Sequence, residues 1–469
     1  MKEGANNLSK GDVAIDVNIP WGPNKDISCV KSMKEKLAAM SRNCKPSRQF
    51  TICRVPPAIR QLDESAYDPK IISIGPYHHG KTSLQPMEEH KWRSLHTFLT
   101  RNPTISLEGY IMEMKGLANS SRNCYSGNID MCFDQFVEMM VLDGCFIIEI
   151  LLKQKEAVAA GDPIYSESWV LPLIAHDMLL LENQLPFFVL ERSLHLLTKP
   201  FSLPELALDF FEHILRKNDK IPCTNKILHL LHLFHSRLLP ESQVEKIVSR
   251  MDNSNPQCYK RANIQPRTVM RSPVSLDRKP PKRPKKIPSA EALEDAGIRF
   301  SLKEDGGSFL DVEFNYGRME MPLVSIYNST NSLFRNFIAF EQCFPDCGNH
   351  FTSYAIFMDS IVNTELDVAI LNDAKIVEHV LGSDQDVAHL FNDLCKGITI
   401  DFEDSFLASL FEDVTGFTET RWHRWQARLM RDYFSNPWSI LSLIAAIVVL
   451  ILTLVQTYFS IYGYFKPPS

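Results

Sequence analysis

Apolar residues recur at helical spacing along most of the chain. The pattern predicts a short helix over Val30–Met40, then helices over Leu84–Thr100, Ile129–Lys155, Pro204–Lys217 and Ile227–Leu239. A nearly continuous leucine-rich run, Leu171–Leu197, is expected to be divided or kinked at Pro186, whose ring opposes helix continuation. Arg48 to Gly80 is rich in Pro, Gly and β-branched residues and reads as extended chain and turns. Farther on, Phe309–Tyr316 alternates apolar with polar and is followed by Arg318–Ile326, so Tyr316-Gly317 marks a small hairpin. Helices are expected again over Ser332–Phe344, Tyr354–Val362, Val377–Val380 and Asp384–Lys396.

The last apolar stretch differs in kind. From Ser435 to Phe465 there is no charged side chain, and WSILSLIAAIVVLILTLV fills Trp438–Val455. The expectation is a transmembrane helix anchored by Trp438, Leu441, Ile447, Leu452 and Tyr458. Arg421, Arg424, Arg428 and Arg431 precede it, in a stretch alternating Arg with Trp, Leu and Met, which suits an interfacial helix. The positive-inside rule then places the body in the cytosol, as a single-pass tail-anchored protein of the plasma membrane or an endomembrane. The fold class expected is mainly α (α+β): a large helical domain with a small β-hairpin, plus that C-terminal helix.

Composition agrees with a globular body: 45% hydrophobic and 23% charged residues exclude wholesale disorder. Between Pro256 and Pro288 ten Lys and Arg face one acid, while the whole chain carries −6, so an acidic body is interrupted by a basic segment. The expected organisation is a polar N-terminal segment (1–47), helical parts over 48–251 and 289–415 joined by a basic Pro-rich linker (252–288), a juxtamembrane helix (416–436) and the span (437–465). Eleven cysteines without a C-x-x-C pair suit reduced, buried thiols, and no secretory h-region opens the chain. Acceptor sequences for N-glycosylation occur at Asn7, Asn119 and Asn328.

No dinucleotide fingerprint or G-x-S-x-G is present in the sequence. Four residues are candidates for catalysis: His78, Asp143, Cys145 and Glu182. Adjacent His78 and His79 on extended chain point to opposite sides, which disfavours a shared metal. Asp143 with Glu149, and Asp177 with Glu182, are spaced by six and five and do not stack on one helix face. A polar bracket around Glu182 and Asn183, bonding free backbone near Pro186, is the preferred reading. Cys343, Cys347 and His350 match no standard zinc spacing, and Cys145 reads as a small buried hydrophobe. No metal and no cofactor are expected. The basic linker lacks interleaved aromatics, so nucleic acid is not an expected partner.

Four blocks make the chain recognisable. They are VPPAIRQLDESAYDPKIISIGPYHHGKTSLQPMEEHKWRSL (Val55–Leu95), VLDGCFIIEIL (Val141–Leu151), HDMLLLENQLPFFVLERS (His176–Ser193), and RNFIAFEQC (Arg335–Cys343) followed by TSYAIFMDSIVNT (Thr352–Thr364). In these the sequence resembles the plant family called domain of unknown function 247, over about nine-tenths of its length. It departs from the family pattern at Ser289–Leu293, Thr330-Asn331 and Ala374–Ile376. The resemblance implies a land-plant protein with one C-terminal span, some relatives being linked to reproductive recognition, including pollen self-incompatibility. It implies no reaction and no cofactor. The motif residues Arg60, Gly75, Pro76, Tyr77, Glu88, Gly144, Glu182, Asn183 and Pro186 carry structural roles in this reading, and Lys91 and Glu341 join the chemically capable ones. The expected function is a membrane-anchored recognition or protein-interaction module, with the bilayer and an unidentified protein as partners. The alternative is a membrane-associated hydrolase using the acid, His and Cys candidates.

Overall fold

In this computed structural model the described residues are 30–37, 50–156, 162–211, 227–240, 287–304, 307–398, 405–419 and 437–465. The chain falls into two compact units, Met1–Gln49 and Phe50–Ser469. In the first, residues 30–37 form a helix with Val30, Met33 and Leu37 exposed.

The second unit is mostly helical with small sheets. Its first helices of more than one turn are α1 (Glu88–Arg101), α2 (Leu107–Arg122), α3 (Phe133–Glu156), α4 (Val170–Asp177), α5 (Phe187–Leu196), α6 (Leu203–Phe210) and α7 (Leu230–Arg237). The hub is α3, buried on every face from Met139 to Leu152, as its run VLDGCFIIEILL requires. Around it pack α1, α2, α5 and α6. Two acids interrupt that apolar run, and α1 answers both. Lys91 lies 2.7 Å from Asp143, and Arg101 lies 2.7 Å from Glu149. Gly144, beside Asp143, leaves room for the hydroxyls of Ser193 and Tyr110, which a Cβ would meet at 3.2 and 3.3 Å.

The leucine-rich run is divided as Pro186 dictates. Between α4 and α5, residues 178–186 are turns and irregular chain, and Pro186 sits at the N-cap of α5.

After the basic segment come α8 (Ala290–Asp295), β1 (Arg299–Leu302), β2 (Glu313–Asn315), β3 (Arg318–Met321) and β4 (Val324–Ile326). Then follow α9 (Thr330–Cys343), α10 (His350–Ile361), α11 (Glu365–Asp373), β5 (Val377–His379), α12 (Asp384–Leu394) and α13 (Ala408–Glu419). The hairpin turns at Tyr316 (φ 48°) and Gly317 (φ 82°), with Asn315 opposite Arg318. Two positive φ angles in a two-residue loop match the right-handed twist of the strands. Two parallel pairings were not legible: β1 on β3, and β4 on β5. The second corrects an expectation, since Val377–Val380 is not helical. Lys375, left-handed at φ 58°, ends α11, and the extended residues after it pair with Val324–Ile326.

The expected transmembrane helix is also corrected. The C-terminal segment is a helix, α14 (Pro437–Phe465), with Leu441, Ile447, Leu452 and Tyr458 exposed. Among the described residues, however, no helix is long and apolar enough to cross a membrane. The side chain of Trp438, the basic residues Arg421, Arg424, Arg428 and Arg431, and most of the Pro-rich segment lie outside the described residues.

Candidate functional site

The motif residues meet around one stretch of irregular backbone, Lys70 to His78. Extended chain inside a helical body has no ladder to satisfy its amides, so side chains must do it. Asp177, at the end of α4, accepts from three consecutive amides: Lys70 at 2.9 Å, Ile71 at 2.8 Å and Ile72 at 3.0 Å. Asn183 accepts from Ile74 at 2.7 Å and donates to the Ile72 carbonyl at 3.1 Å and the Asp177 carbonyl at 2.9 Å. Asp143 accepts from Gly75 at 2.8 Å. The chain then turns through Gly75, left-handed at φ 73°, and Tyr77 places its hydroxyl 2.7 Å from the Ser126 carbonyl. The polar bracket expected near Pro186 exists: Asn183 binds backbone nearby at Asp177, and it also holds backbone about a hundred residues earlier.

A second cluster flanks the first. Glu182 accepts from the Val55 amide at 2.6 Å through Oε1 and meets Arg60 at 2.8 Å through Oε2. Arg60 also meets Asp68 at 2.9 Å. His78, 3% exposed, has Nε2 3.7 Å from Glu182 and Nδ1 4.0 Å from Asp68, and neither ring nitrogen has a hydrogen-bond partner among the described residues. Burial, reinforced by the charge of Lys81, lowers its pKa to about 4.

Of the four catalytic candidates, His78 and Glu182 come together, while Asp143 and Cys145 lie elsewhere. Asp143 is committed to Lys91 and Gly75. Burial would lower the pKa of Lys91, but Asp143 and Glu88 outweigh it and hold the ammonium charged. Cys145 is buried on α3, and burial pushes its thiol far above the ordinary range, the opposite of an activated nucleophile. Cys343 ends α9, Cys347 donates to the Phe344 carbonyl at 2.9 Å, and the His350 ring lies against Phe406. No cluster of three or more metal-ligating side chains occurs among the described residues.

Several residues escaped sequence reasoning. His176 lies 3.0 Å from Asp177 and 3.0 Å from Ser332 Oγ, a line of acid, imidazole and hydroxyl. Its hydroxyl is no free nucleophile: Ser332 donates to the Ala66 carbonyl at 2.5 Å and is buried. Three histidines on or just before α7 surround the Phe340 ring. His229 bonds the Thr51 carbonyl at 3.0 Å, and His235 lies 2.8 Å from Glu341. Glu341 in turn accepts from the amides of Phe351 and Thr352, at 2.9 and 2.8 Å, and so caps the start of α10. Cys53 donates to the Phe50 carbonyl at 3.8 Å, and the interaction of its thiol with that of Cys343 lowers the pKa of Cys53 and raises that of Cys343. Period-3.6 patterning carries no signal for pairs so distant in sequence.

Beside the bracketed segment a cavity of about 380 Å³ opens to solvent, lined by Ser73, His79, Lys81, Glu88, Trp92 and Glu138 among others. Glu88 is fixed at its edge: Oε1 lies 2.7 Å from Lys91 and accepts from Ser73 at 3.3 Å.

A helical body whose motif acids and amides clamp an irregular N-terminal segment, with a small open cavity alongside, defines the class. The chain belongs to the plant family described as "Plant protein of unknown function", domain of unknown function 247, which matches residues 52–452. It is 33% identical over 427 residues to UPF0481 protein At3g47200 of Arabidopsis thaliana, covering 88% of this chain and 86% of that one. It is 23% identical over 494 residues to the putative UPF0481 protein At3g02645 of the same plant, covering 88% and 91%. No solved structure matches.

Proposed function

We propose that this chain is a recognition module whose helical body binds another protein. One observation supports the reading above others: the chemically capable motif side chains Arg60, Lys91, Asp143, Glu182 and Asn183 are spent on holding the 55–75 backbone and on matching one another. Such groups fix a surface in place; they do not face a reacting centre. In line with the family resemblance, the process proposed is reproductive recognition of the pollen–pistil type. Along α14 the exposed apolar side chains from Leu441 to Val455 are proposed to rest on an apolar partner surface.

The hydrolase alternative has its nearest geometry in Asp177, His176 and Ser332, and the commitment of the Ser332 hydroxyl to Ala66 argues against it. The test is affinity capture of the intact chain from plant tissue, with cross-linking and quantitative mass spectrometry. A partner recovered in stoichiometric amount, repeatedly, supports recognition. Failure to recover one from any tissue expressing the protein sinks the reading.

A further inference from the structure

The cavity beside Ser73 is built for a cation. Glu88 and Trp92 stand four residues apart on α1 and therefore share one face of it. The Trp92 side chain is 51% exposed, an unusual place for an indole. Glu138 enters from α3 and has no charge or hydrogen-bond partner among the described residues. The Glu88 carboxylate is held by Lys91 and Ser73 through Oε1, which leaves Oε2 without a partner among the described residues, and Glu88 lines the cavity. Positive charge nearby is already matched. Lys81 lies 3.4 Å from Asp68, and Lys91 sits between Asp143 and Glu88. The uncommitted charge of the cavity is thus negative, next to an indole face, with buried Leu84, Met139 and Leu142 as an apolar wall.

We propose that this cavity takes an arginine side chain of a partner protein: guanidinium between Glu88 and Glu138, its plane against Trp92, its aliphatic stem along the apolar wall. A planar fork fits paired carboxylates and an aromatic face better than an ammonium does. The proposal rests on the recognition reading and names the chemistry of the partner.

The test uses the intact chain and two probe peptides, acetyl-Gly-Arg-Gly-amide and its citrulline counterpart, which keeps the shape and drops the charge. Binding is read by saturation-transfer NMR. The arginine peptide is expected to bind about tenfold tighter than the citrulline peptide. Glu138→Gln and Trp92→Ala, both at exposed positions, are each expected to weaken it about fivefold or more with an unchanged unfolding midpoint. Equal binding of the two peptides, or affinity unchanged in both variants, overturns the site. Replacing Lys279, Lys282, Arg283, Lys285 and Lys286 with serine checks the chain's own basic segment as occupant. A rise in probe affinity of about tenfold would overturn the assignment to a partner and make the contact internal. Partner capture separates this proposal from the reading beneath it. Capture by wild type and by a variant carrying both Glu138→Gln and Trp92→Ala alike removes the cavity and leaves recognition standing. No capture by either removes recognition, while the peptides still decide whether the cavity takes arginine.

Discussion

A Cβ added to Gly75 would lie 2.5 Å from the carbonyl oxygen of Gln184. Two irregular segments, one before α1 and one between α4 and α5, thus touch backbone to backbone, and only the residue without a side chain permits it. Gly75 also holds φ at 73°, where a Cβ is strained whatever the space. Gly75→Ala is expected to destabilise the fold by about 2–4 kcal/mol, read from denaturant unfolding. A loss below about 1 kcal/mol would show that the two segments slide apart easily.

Asp177 satisfies three consecutive amides at once, the last of them buried. Asp177→Ala leaves them without acceptors and is expected to cost about 3–5 kcal/mol. Asp177→Asn, which keeps one carbonyl oxygen, should cost less. Hydrogen exchange at Lys70–Ile72 gives the local check: fast exchange in the alanine variant alone, against protection in wild type.

The Lys91–Asp143 pair is deeply buried, both side chains being 1% exposed. Removing one partner strands a charge, so Lys91→Met should cost about 3–5 kcal/mol. Adding Asp143→Asn removes the stranded charge and keeps an acceptor for the Gly75 amide, and should recover at least half of that loss. A double-mutant cycle with no coupling would contradict the pairing.

His78 gives a pH dependence of defined sign. Its folded pKa, about 4, lies below the ordinary value near 6.5, so the unfolded chain binds the proton first as pH falls. Its stabilising contribution is present above pH 6.5 and is lost progressively toward pH 4, up to about 3 kcal/mol. His229, lowered to about 3 by burial, acts in the same direction. Unfolding free energies at pH 7 and pH 4.5 should differ less in His78→Gln than in wild type. An equal difference would place the acid sensitivity elsewhere.

Much of the framework was legible because it rests on local rules. The periodicity over Ile129–Lys155 foretold the helix α3, though not that it would be buried on every face; Pro186 foretold the break between α4 and α5, and Tyr316-Gly317 foretold the hairpin. The bracket was read in part: Asn183 does bind nearby backbone at Asp177, but it also binds Ile72 and Ile74. Nothing local in the sequence names a partner 109 residues away. For the same reason Asp143 and Glu149 looked unpaired, since their cations stand on a different helix. The parallel pairing of β4 with β5 was missed because three-residue strands carry too few positions to show a period of two.

The reach of Asp177 and Asn183 bears on synthesis at the ribosome. The segment from Lys70 to Ile74 leaves the exit tunnel with amides open, and the groups that close them, Asp177 and Asn183, are translated about a hundred residues later. At roughly 5–20 residues per second that delay is on the order of 5–20 s. Ala66 waits longer, for Ser332 and Asn336. The N-terminal segment therefore settles long after it is made, and a nascent chain arrested before residue 183 should remain a substrate for chaperones throughout.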